Sequence, residues 1–317
     1  MNLNQLAQEA EARIRPHIRS TPLEFSPYLS QLANCKVYLK LENIQISGSF
    51  KLRGATNFFL SMTDAQKQQG VATASSGNHA AAVAYLLDKF NVPGIIYLPD
   101  YASPAKVAEL RLYNVELQFH GSDCIDTENH ARQQAQKNNQ SYIPPYNDPL
   151  IVAGQATCGV ELTQQLPELD TVLIPVGGGG LASGIAGYLK SQNPNTEIIG
   201  CQPENSAVMY ESVKAGRILD LPSQPTISDG SAGGIEADSI TFELCQKYLD
   251  EFILVSEQEI INALKLLIEK HYLLVEGAAA LSIAAFLKEK QRFENKTVAL
   301  IISGKKIAFD TLKQILS

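Results

Sequence analysis

Short apolar segments alternate with amphipathic segments along most of this chain, and this alternation constrains the fold more than any other feature. From Gly70 onward, runs such as GIIYLP and TVLIPV are apolar throughout, and a segment with helical periodicity follows each of them. Continuously apolar strands between amphipathic helices are typical of a parallel sheet covered on both faces. We therefore predict an α/β fold of two domains, each an open, mostly parallel twisted sheet flanked by helices, with a ligand cleft between them.

The domain boundaries are predicted near residues 70 and 147, between the two series of strands and helices. Residues 71–147 would form a small domain, and residues 1–70 together with 148–317 a large one. A chain of 317 residues is long enough for two cores of this kind.

The composition excludes several classes of partner. Lys and Arg total 26 against 33 Asp and Glu, and a net charge of -7 argues against nucleic acid or an anionic membrane as the main partner. The longest apolar stretch, residues 275–287, contains Glu276 and is too short to span a bilayer. The five cysteines are scattered and form no CxxC pair, and the start of the chain lacks a signal-peptide pattern. We expect a cytoplasmic protein with reduced thiols.

The segment TVLIPVGGGGLASG contains the clearest ligand motif. A buried strand leads directly into Gly177, Gly178, Gly179 and Gly180, after which a helix begins. Glycines allow successive backbone N–H groups to face one point, and the helix N-terminus adds positive potential, so the turn is suited to a phosphate. A flexible or tightly packed turn is the alternative. The spacing does not fit a dinucleotide fingerprint or a P-loop, and a single phosphate such as that of pyridoxal phosphate fits better.

A second strand-to-helix turn, SSGNH, has the same layout. Ser75, Ser76, Gly77 and Asn78 join side-chain donors to the N–H groups of a helix start, a combination suited to a carboxylate. The alternative is simple helix capping, for which Ser and Asn are preferred.

Lys51 lies in the apolar stretch SFKLRG, between Phe50 and Leu52. It is either a surface lysine whose stem lies along apolar atoms or a desolvated amine held for covalent chemistry. The aldehyde of pyridoxal phosphate requires such an amine, so the glycine turn favours the second interpretation.

Three motifs, SGSFKLRGA, SSGNHAAAVAY and PVGGGGLASG, occur in this order and resemble those of the fold-type II (tryptophan synthase β-like) pyridoxal-phosphate enzymes. Within that group the chain resembles the serine/threonine dehydratase and serine racemase branch. The resemblance runs from Thr21-Pro22-Leu23 to the C-terminus and includes AGQATCGVEL, TISDG and VEGAAA. It implies pyridoxal 5'-phosphate as the cofactor, held mainly by the large domain, and a homodimer.

The resemblance assigns cofactor roles to matching residues. Lys51 matches the Schiff-base lysine, and Phe50 matches the aromatic residue beside the cofactor ring. Asn78 matches the residue that bonds the ring's 3-hydroxyl, and Ser303 the serine facing the pyridine nitrogen. Glu276 matches an acidic residue near the ring, and residues 177–180 match the phosphate cradle.

The SSGNH turn matches the loop that binds the substrate carboxylate. The implied substrate-binding residues are Ser75, Ser76, Gly77, Asn78 and His79. The implied reaction is β-elimination from L-threonine, L-serine or a close β-hydroxy amino acid, which yields a 2-oxo acid and ammonia, with Lys51 as the base. The alternative is a racemase of serine or aspartate type, in which Ser76 acts on the face opposite Lys51. A non-catalytic or nucleotide-binding α/β protein is a third hypothesis.

Two positions depart from the family's pattern. The common ending SGGN is replaced by SGKK, and we expect Lys305 and Lys306 to point into solvent; the alternative is that they modify substrate or effector binding. Where the serine racemase-like pattern has metal-binding Glu and Asp residues, this chain has Gln202 and Val208. Because hard divalent cations prefer carboxylate oxygens, we predict no tight metal site there.

Overall fold

The structure is a computed structural model that describes residues 1–100, 102–121 and 124–316. The α-helices of these residues are α1 (Leu3–Ile14), α2 (Pro27–Ala33), α3 (Lys51–Ser61), α4 (Asp64–Gln69), α5 (Asn78–Phe90), α6 (Pro104–Leu110), α7 (Cys124–Lys137), α8 (Pro149–Gln165), α9 (Gly180–Gln192), α10 (Val208–Ala215), α11 (Ile240–Tyr248), α12 (Glu257–His271), α13 (Gly277–Lys288) and α14 (Phe309–Leu316). The strands are β1 (Leu23–Phe25), β2 (Lys36–Lys40), β3 (Val71–Ala74), β4 (Gly94–Leu98), β5 (Glu116–Phe119), β6 (Ser141–Tyr142), β7 (Thr171–Pro175), β8 (Glu197–Pro203), β9 (Glu251–Val255) and β10 (Thr297–Ile301).

These strands form two sheets. The larger has the order β1-β2-β10-β7-β8-β9, and all of its neighbours are parallel except β1 and β2. The smaller has the order β5-β4-β3-β6 and is parallel throughout. The predicted α/β architecture of mostly parallel sheets flanked by helices is therefore confirmed.

Burial of the central strands explains their apolar sequences. Every residue of β3, β7 and β10 is buried, as expected for strands covered by helices on both faces. Among the described residues, no helix is both long enough and apolar enough to cross a membrane.

The sequence pattern was least informative over the first fifty residues. Strand β1 has only three residues, two of them exposed, and β2 begins and ends with lysine. Such short edge elements show little periodicity, although β2 pairs with β10 along its whole length. Helix α8 begins at Pro149, where the carboxylate of Asp148 caps it by accepting a hydrogen bond from the Leu150 N–H at 2.7 Å.

Helices α3 and α8 cross in close contact just after Lys51. A Cβ atom at Gly154 would lie 2.5 Å from the Cα of Gly54, and a Cβ atom at Gly54 would collide with the side chain of Gln155. Only glycine permits two helix backbones to approach so closely. The crossing thus fixes the start of α3, and with it the backbone of Lys51.

A buried ionic network reinforces this crossing. The guanidinium of Arg53 donates to both carboxylate oxygens of Glu42, at 2.7 and 2.8 Å, and to Glu161 on α8 at 2.9 Å. The ammonium of Lys40 on β2 also bonds to Glu161. The four side chains are almost fully buried and balance two positive charges against two negative ones. Paired in this way, the charges tie α3, α8 and the end of β2 together.

Candidate active site

A cavity of about 700 Å³ lies where the carboxyl ends of strands from both sheets meet. Ala74 at the end of β3 and Pro99 just after β4 line it on one side, and Pro175 at the end of β7 and Ser303 after β10 line it on the other. Ligands of parallel α/β sheets bind outside the carboxyl ends of the strands, so this is the expected place for a site.

Lys51 is the first residue of α3 and lines this cavity. The N–H of the preceding residue, Phe50, donates to the carbonyl of Ser303 at 3.1 Å, which ties the helix start to the end of β10. The Nζ of Lys51 donates to the carbonyl of Pro145 at 2.8 Å and lies 5.4 Å from the centroid of the Phe50 ring. Desolvation lowers the pKa of Lys51 to about 8, although the charge of Glu276 opposes this change. The residue thus supplies a neutral amine far more readily than an ordinary lysine does.

Asn78 and Glu276 form a polar pair in the wall of the cavity. The Nδ2 of Asn78, at the start of α5, donates to both oxygens of Glu276, at 2.9 and 2.8 Å. Burial raises the pKa of Glu276 to about 7, and the bond from Asn78 acts in the opposite direction. The Oδ1 of Asn78 is buried without a hydrogen-bond partner among the described residues. This oxygen is therefore available to a ligand.

Ser303 and Gly304 connect Lys51 to Glu276. The N–H of Glu276 donates to the carbonyl of Gly304 at 3.2 Å, and Gly304 forms a β-bridge with Ser49. A Cβ atom at Gly304 would collide with the carboxylate of Glu276, so only glycine fits here. The hydroxyl of Ser303 is buried and has no partner in the described part of the chain. A buried hydroxyl in this state is suited to a polar atom of a ligand.

The glycine run turns sharply between β7 and α9, as its sequence predicts. Gly179 has φ +83, in the left-handed region that favours glycine. A Cβ atom at Gly178 would lie 2.6 Å from the ring of Tyr146, and one at Gly177 would lie 3.0 Å from the Cα of Ser231. Side chains are thus excluded along residues 177–180, which line the cavity and lead into the N-terminus of α9.

The SSGNH turn connects β3 to α5, also as predicted. The N–H of Gly77 donates to the hydroxyl of Ser75 at 3.1 Å, and Ser76 lines the cavity beside them. His79 is different, because its side chain is buried and its Nε2 lies 3.0 Å from the carbonyl of Ile143. Burial lowers the pKa of His79 to about 3, so the ring is neutral at physiological pH. The imidazole of His79 links α5 to Ile143, which directly follows β6. The backbone N–H of His79 lies in the first turn of the helix, where N–H groups have no partner within the helix.

The expectation for the two lysines of SGKK is wrong for one of them. Lys305 is exposed, but Lys306 lines the cavity, and its Nζ lies 2.5 Å from the Oε1 of Glu109 on α6. The backbone N–H of Lys306 bonds to the carboxylate of Glu276. The chain therefore turns inward immediately after Ser303, which its charged residues did not suggest.

Sequence reasoning missed several residues of the cavity wall. Gln155 is 1% exposed, and neither polar atom of its amide has a partner among the described residues. Its position in AGQATCGVEL, one of the family-like segments, was the available signal. Lys106 and Glu109 on α6 were also missed, since they look like ordinary charges of a surface helix.

Gln202 and Val208, which replace the metal-binding residues of the serine racemase-like pattern, have structural roles here. The side-chain oxygen of Gln202 accepts from the N–H of Tyr210 at 2.7 Å, and Val208 is buried. The side-chain oxygen of Gln202 therefore supports the start of α10, and the absence of a tight metal site stays a prediction.

These features fit pyridoxal phosphate. The bare backbone of residues 177–180 suits a phosphate, and the amine of Lys51 suits an aldehyde. The unpartnered oxygens of Ser303 and Asn78 suit polar atoms of a ring. All four lie around one cavity, which Phe50 also lines.

Known proteins resemble the chain over almost its whole length. It is 38% identical over 309 residues to the catabolic L-threonine dehydratase TdcB of Escherichia coli (strain K12), covering 97% of this chain and 94% of that protein. The structure matches the processed form of threonine deaminase isoform 2 from Solanum lycopersicum with a TM-score of 0.93 and 32% identity, covering 99% and 92% of the two chains. Maize serine racemase matches with the same TM-score and identity, covering 99% and 96%.

The profile of one protein family, described as "Pyridoxal-phosphate dependent enzyme", matches residues 14–304. This range includes each of the motifs around the cavity, from Lys51 to Ser303. The chain belongs to the family of pyridoxal-phosphate dependent enzymes.

Proposed function

We propose that this protein is an ammonia-lyase that catalyses β-elimination from L-threonine or L-serine and releases a 2-oxo acid and ammonia. The observation that carries the proposal is the amine of Lys51, whose pKa is lowered to about 8, in a cavity lined by both predicted anion-binding turns. The similarity to the E. coli threonine dehydratase over 97% of this chain supports the same reaction class.

The residues that would hold the cofactor surround Lys51. Residues 177–180 and the N-terminus of α9 would hold the phosphate, and Phe50 would pack beside the ring. The hydroxyl of Ser303 would face the ring nitrogen, and Asn78 would bond the 3-oxygen. When bound, pyridoxal phosphate supplies an electron sink that makes the α-proton of an amino acid removable.

The substrate carboxylate would bind at the SSGNH turn. The hydroxyls of Ser75 and Ser76 and the unpaired N–H groups at the start of α5 are donors at a helix N-terminus. Fixing the carboxylate there would orient the substrate so that Lys51 removes the α-proton. Lys51 is suited to this task because a base works best when its pKa lies near the working pH.

Glu276 would set the charge next to the side-chain amide of Asn78. Because its pKa is about 7, its carboxylate changes charge near neutral pH while it accepts from the Asn78 amide. This bond would hold the amide of Asn78 in one orientation toward the cofactor.

Racemisation is the second candidate function. It requires a base on each face of the α-carbon, and Ser76 lines the cavity together with Lys51. The similarity to maize serine racemase supports this alternative. Chiral analysis of the remaining amino acid, run beside the assay for the 2-oxo acid, separates the two reactions.

We also propose that residues 71–147 form the small domain and residues 1–70 with 148–317 the large one. The four strands of the smaller sheet all lie within residues 71–142, in support of this division. We propose a cytoplasmic homodimer. The free thiols of Cys35, Cys158, Cys201 and Cys245, among the residues that the structure describes, and the family resemblance support this proposal.

The test is a panel of β-hydroxy amino acids, scored for ammonia and 2-oxo acid after incubation with the purified protein and pyridoxal phosphate. We expect equal amounts of both products from L-threonine or L-serine, and none from the Lys51→Ala variant. Full activity of Lys51→Ala, or no product from any member of the panel, would contradict the proposal.

A further inference from the structure

Two ion pairs link α6 to the opposite wall of the cavity. The Nζ of Lys306 lies 2.5 Å from Glu109, and the Nζ of Lys106 lies 3.0 Å from Asp229. Lys106 and Glu109 are three residues apart on α6 and therefore share one face of the helix. Each wall contributes one lysine and one carboxylate, so the two pairs run in opposite directions. All four side chains line the cavity.

The two pairs differ in their exposure to solvent. The side chain of Lys306 is 20% exposed and that of Glu109 is 39%, whereas Lys106 is 33% exposed and Asp229 is 59%. Solvent screens the outer pair of Lys106 and Asp229 more strongly. Of these two paired lysines, Lys306 is thus the one whose charge acts more strongly inside the cavity, and it follows Ser303 by only three residues.

We propose that Glu109 is a specificity-determining residue that neutralises Lys306 and so directs the enzyme to β-hydroxy amino acids with uncharged side chains. This inference rests on the proposed function and concerns the substrate of the same site. An unpaired ammonium in the cavity wall would attract a second carboxylate on the substrate through a charge-assisted hydrogen bond. Glu109 already pairs with the ammonium of Lys306. A substrate with a side-chain carboxylate would therefore have to displace Glu109 and would be repelled by the negative charge of Glu109.

Two lysines lie in the cavity wall, but neither is free to bind the second carboxylate of a dicarboxylate substrate. The loop that contains Gly230, Ser231 and Ala232 offers no cation. The only cations that the described cavity lining holds besides Lys51 are Lys106 and Lys306, and a carboxylate of the opposite wall pairs with each of them.

The test compares L-threonine with 3-hydroxyaspartate in the holoenzyme and in the Glu109→Gln variant. We expect the substitution to raise the ratio of kcat/KM for 3-hydroxyaspartate over L-threonine about tenfold or more, since one hydrogen bond to a charged group contributes at least that factor. In the double variant Glu109→Gln/Lys306→Gln the ratio should return to the parent value or below it. The matched control is Asp229→Asn, which frees the more exposed Lys106 and should change the ratio less.

A binding measurement separates this inference from the proposed function. Calorimetry of the holoenzyme with succinate and with butyrate, which have the same number of carbon atoms, reports the preference for a second carboxylate without catalysis. Glu109→Gln should strengthen the binding of succinate relative to butyrate, and the double variant should not. An unchanged succinate preference in Glu109→Gln, or a gain that persists in the double variant, would overturn the role of Glu109. Absence of ammonia release from threonine and serine by the parent enzyme would instead refute the proposed function.

Discussion

The titration of Lys51 offers a quantitative test of the site's electrostatics. Desolvation lowers the pKa of its amine from 10.5 to about 8. At pH 8 about half of this amine is therefore neutral, against about 0.3% for a lysine with the ordinary pKa. The difference is about 150-fold in the concentration of the reactive form, since only the neutral amine is a nucleophile or a base.

Competitive labelling of the cofactor-free protein measures this titration directly. Trace acetic anhydride is added across a range of pH. Mass spectrometry then compares the extent of acetylation of the peptide that contains Lys51 with that of the free ε-amine of Nα-acetyl-lysine in the same tube. We expect the reactivity of Lys51 to rise with a midpoint near pH 8. In Glu276→Gln the midpoint should be lower, because the carboxylate that raises the pKa of Lys51 is gone. A midpoint near 10.5 in the parent protein would refute the argument from desolvation.

Three further predictions concern the glycine turn, the buried network and the metal. Gly178→Ala should weaken the binding of pyridoxal phosphate about tenfold, because the added Cβ would lie 2.6 Å from the Tyr146 ring. An unchanged affinity in a fluorescence titration would contradict the proposal that residues 177–180 hold the phosphate. Arg53→Met should lower the free energy of unfolding in urea by about 3–5 kcal/mol, since it leaves the buried Glu42 without its ion-pair partner and removes one of the cations that pair with Glu161; a loss under about 1 kcal/mol would show that the network relaxes. Activity should survive treatment with EDTA, because the side-chain oxygen of Gln202 already accepts from a backbone N–H; a strict need for magnesium would contradict this.

Local patterns allowed much of the fold and site to be predicted. The apolar strands and the turns at residues 75–79 and 177–180 are contiguous in sequence, and a strand, a turn and a helix start suffice to place an anion site. The structure places Lys51 with both turns around one cavity, an arrangement that the family resemblance implied.

The remaining features depend on contacts between distant residues. The charge of Lys306 suggested solvent, but its ammonium reaches Glu109, nearly two hundred residues away in the chain. The imidazole of His79 lies against the carbonyl of Ile143, 64 residues away in the chain, and only the packing of α5 reveals this contact. Arg53 likewise looked like part of a short motif, whereas its role in joining α3 to α8 requires Glu161. Periodicity and spacing carry no information about such pairs.

We propose that Lys51 is the residue that holds pyridoxal phosphate. Reduction of the yellow holoenzyme with sodium borohydride makes the bond between cofactor and lysine permanent, and peptide mass spectrometry then locates it. We predict the modification on Lys51 alone, and none in Lys51→Ala treated in the same way. A cofactor recovered on another lysine, or a holoenzyme that reduction leaves unmodified, would contradict the account.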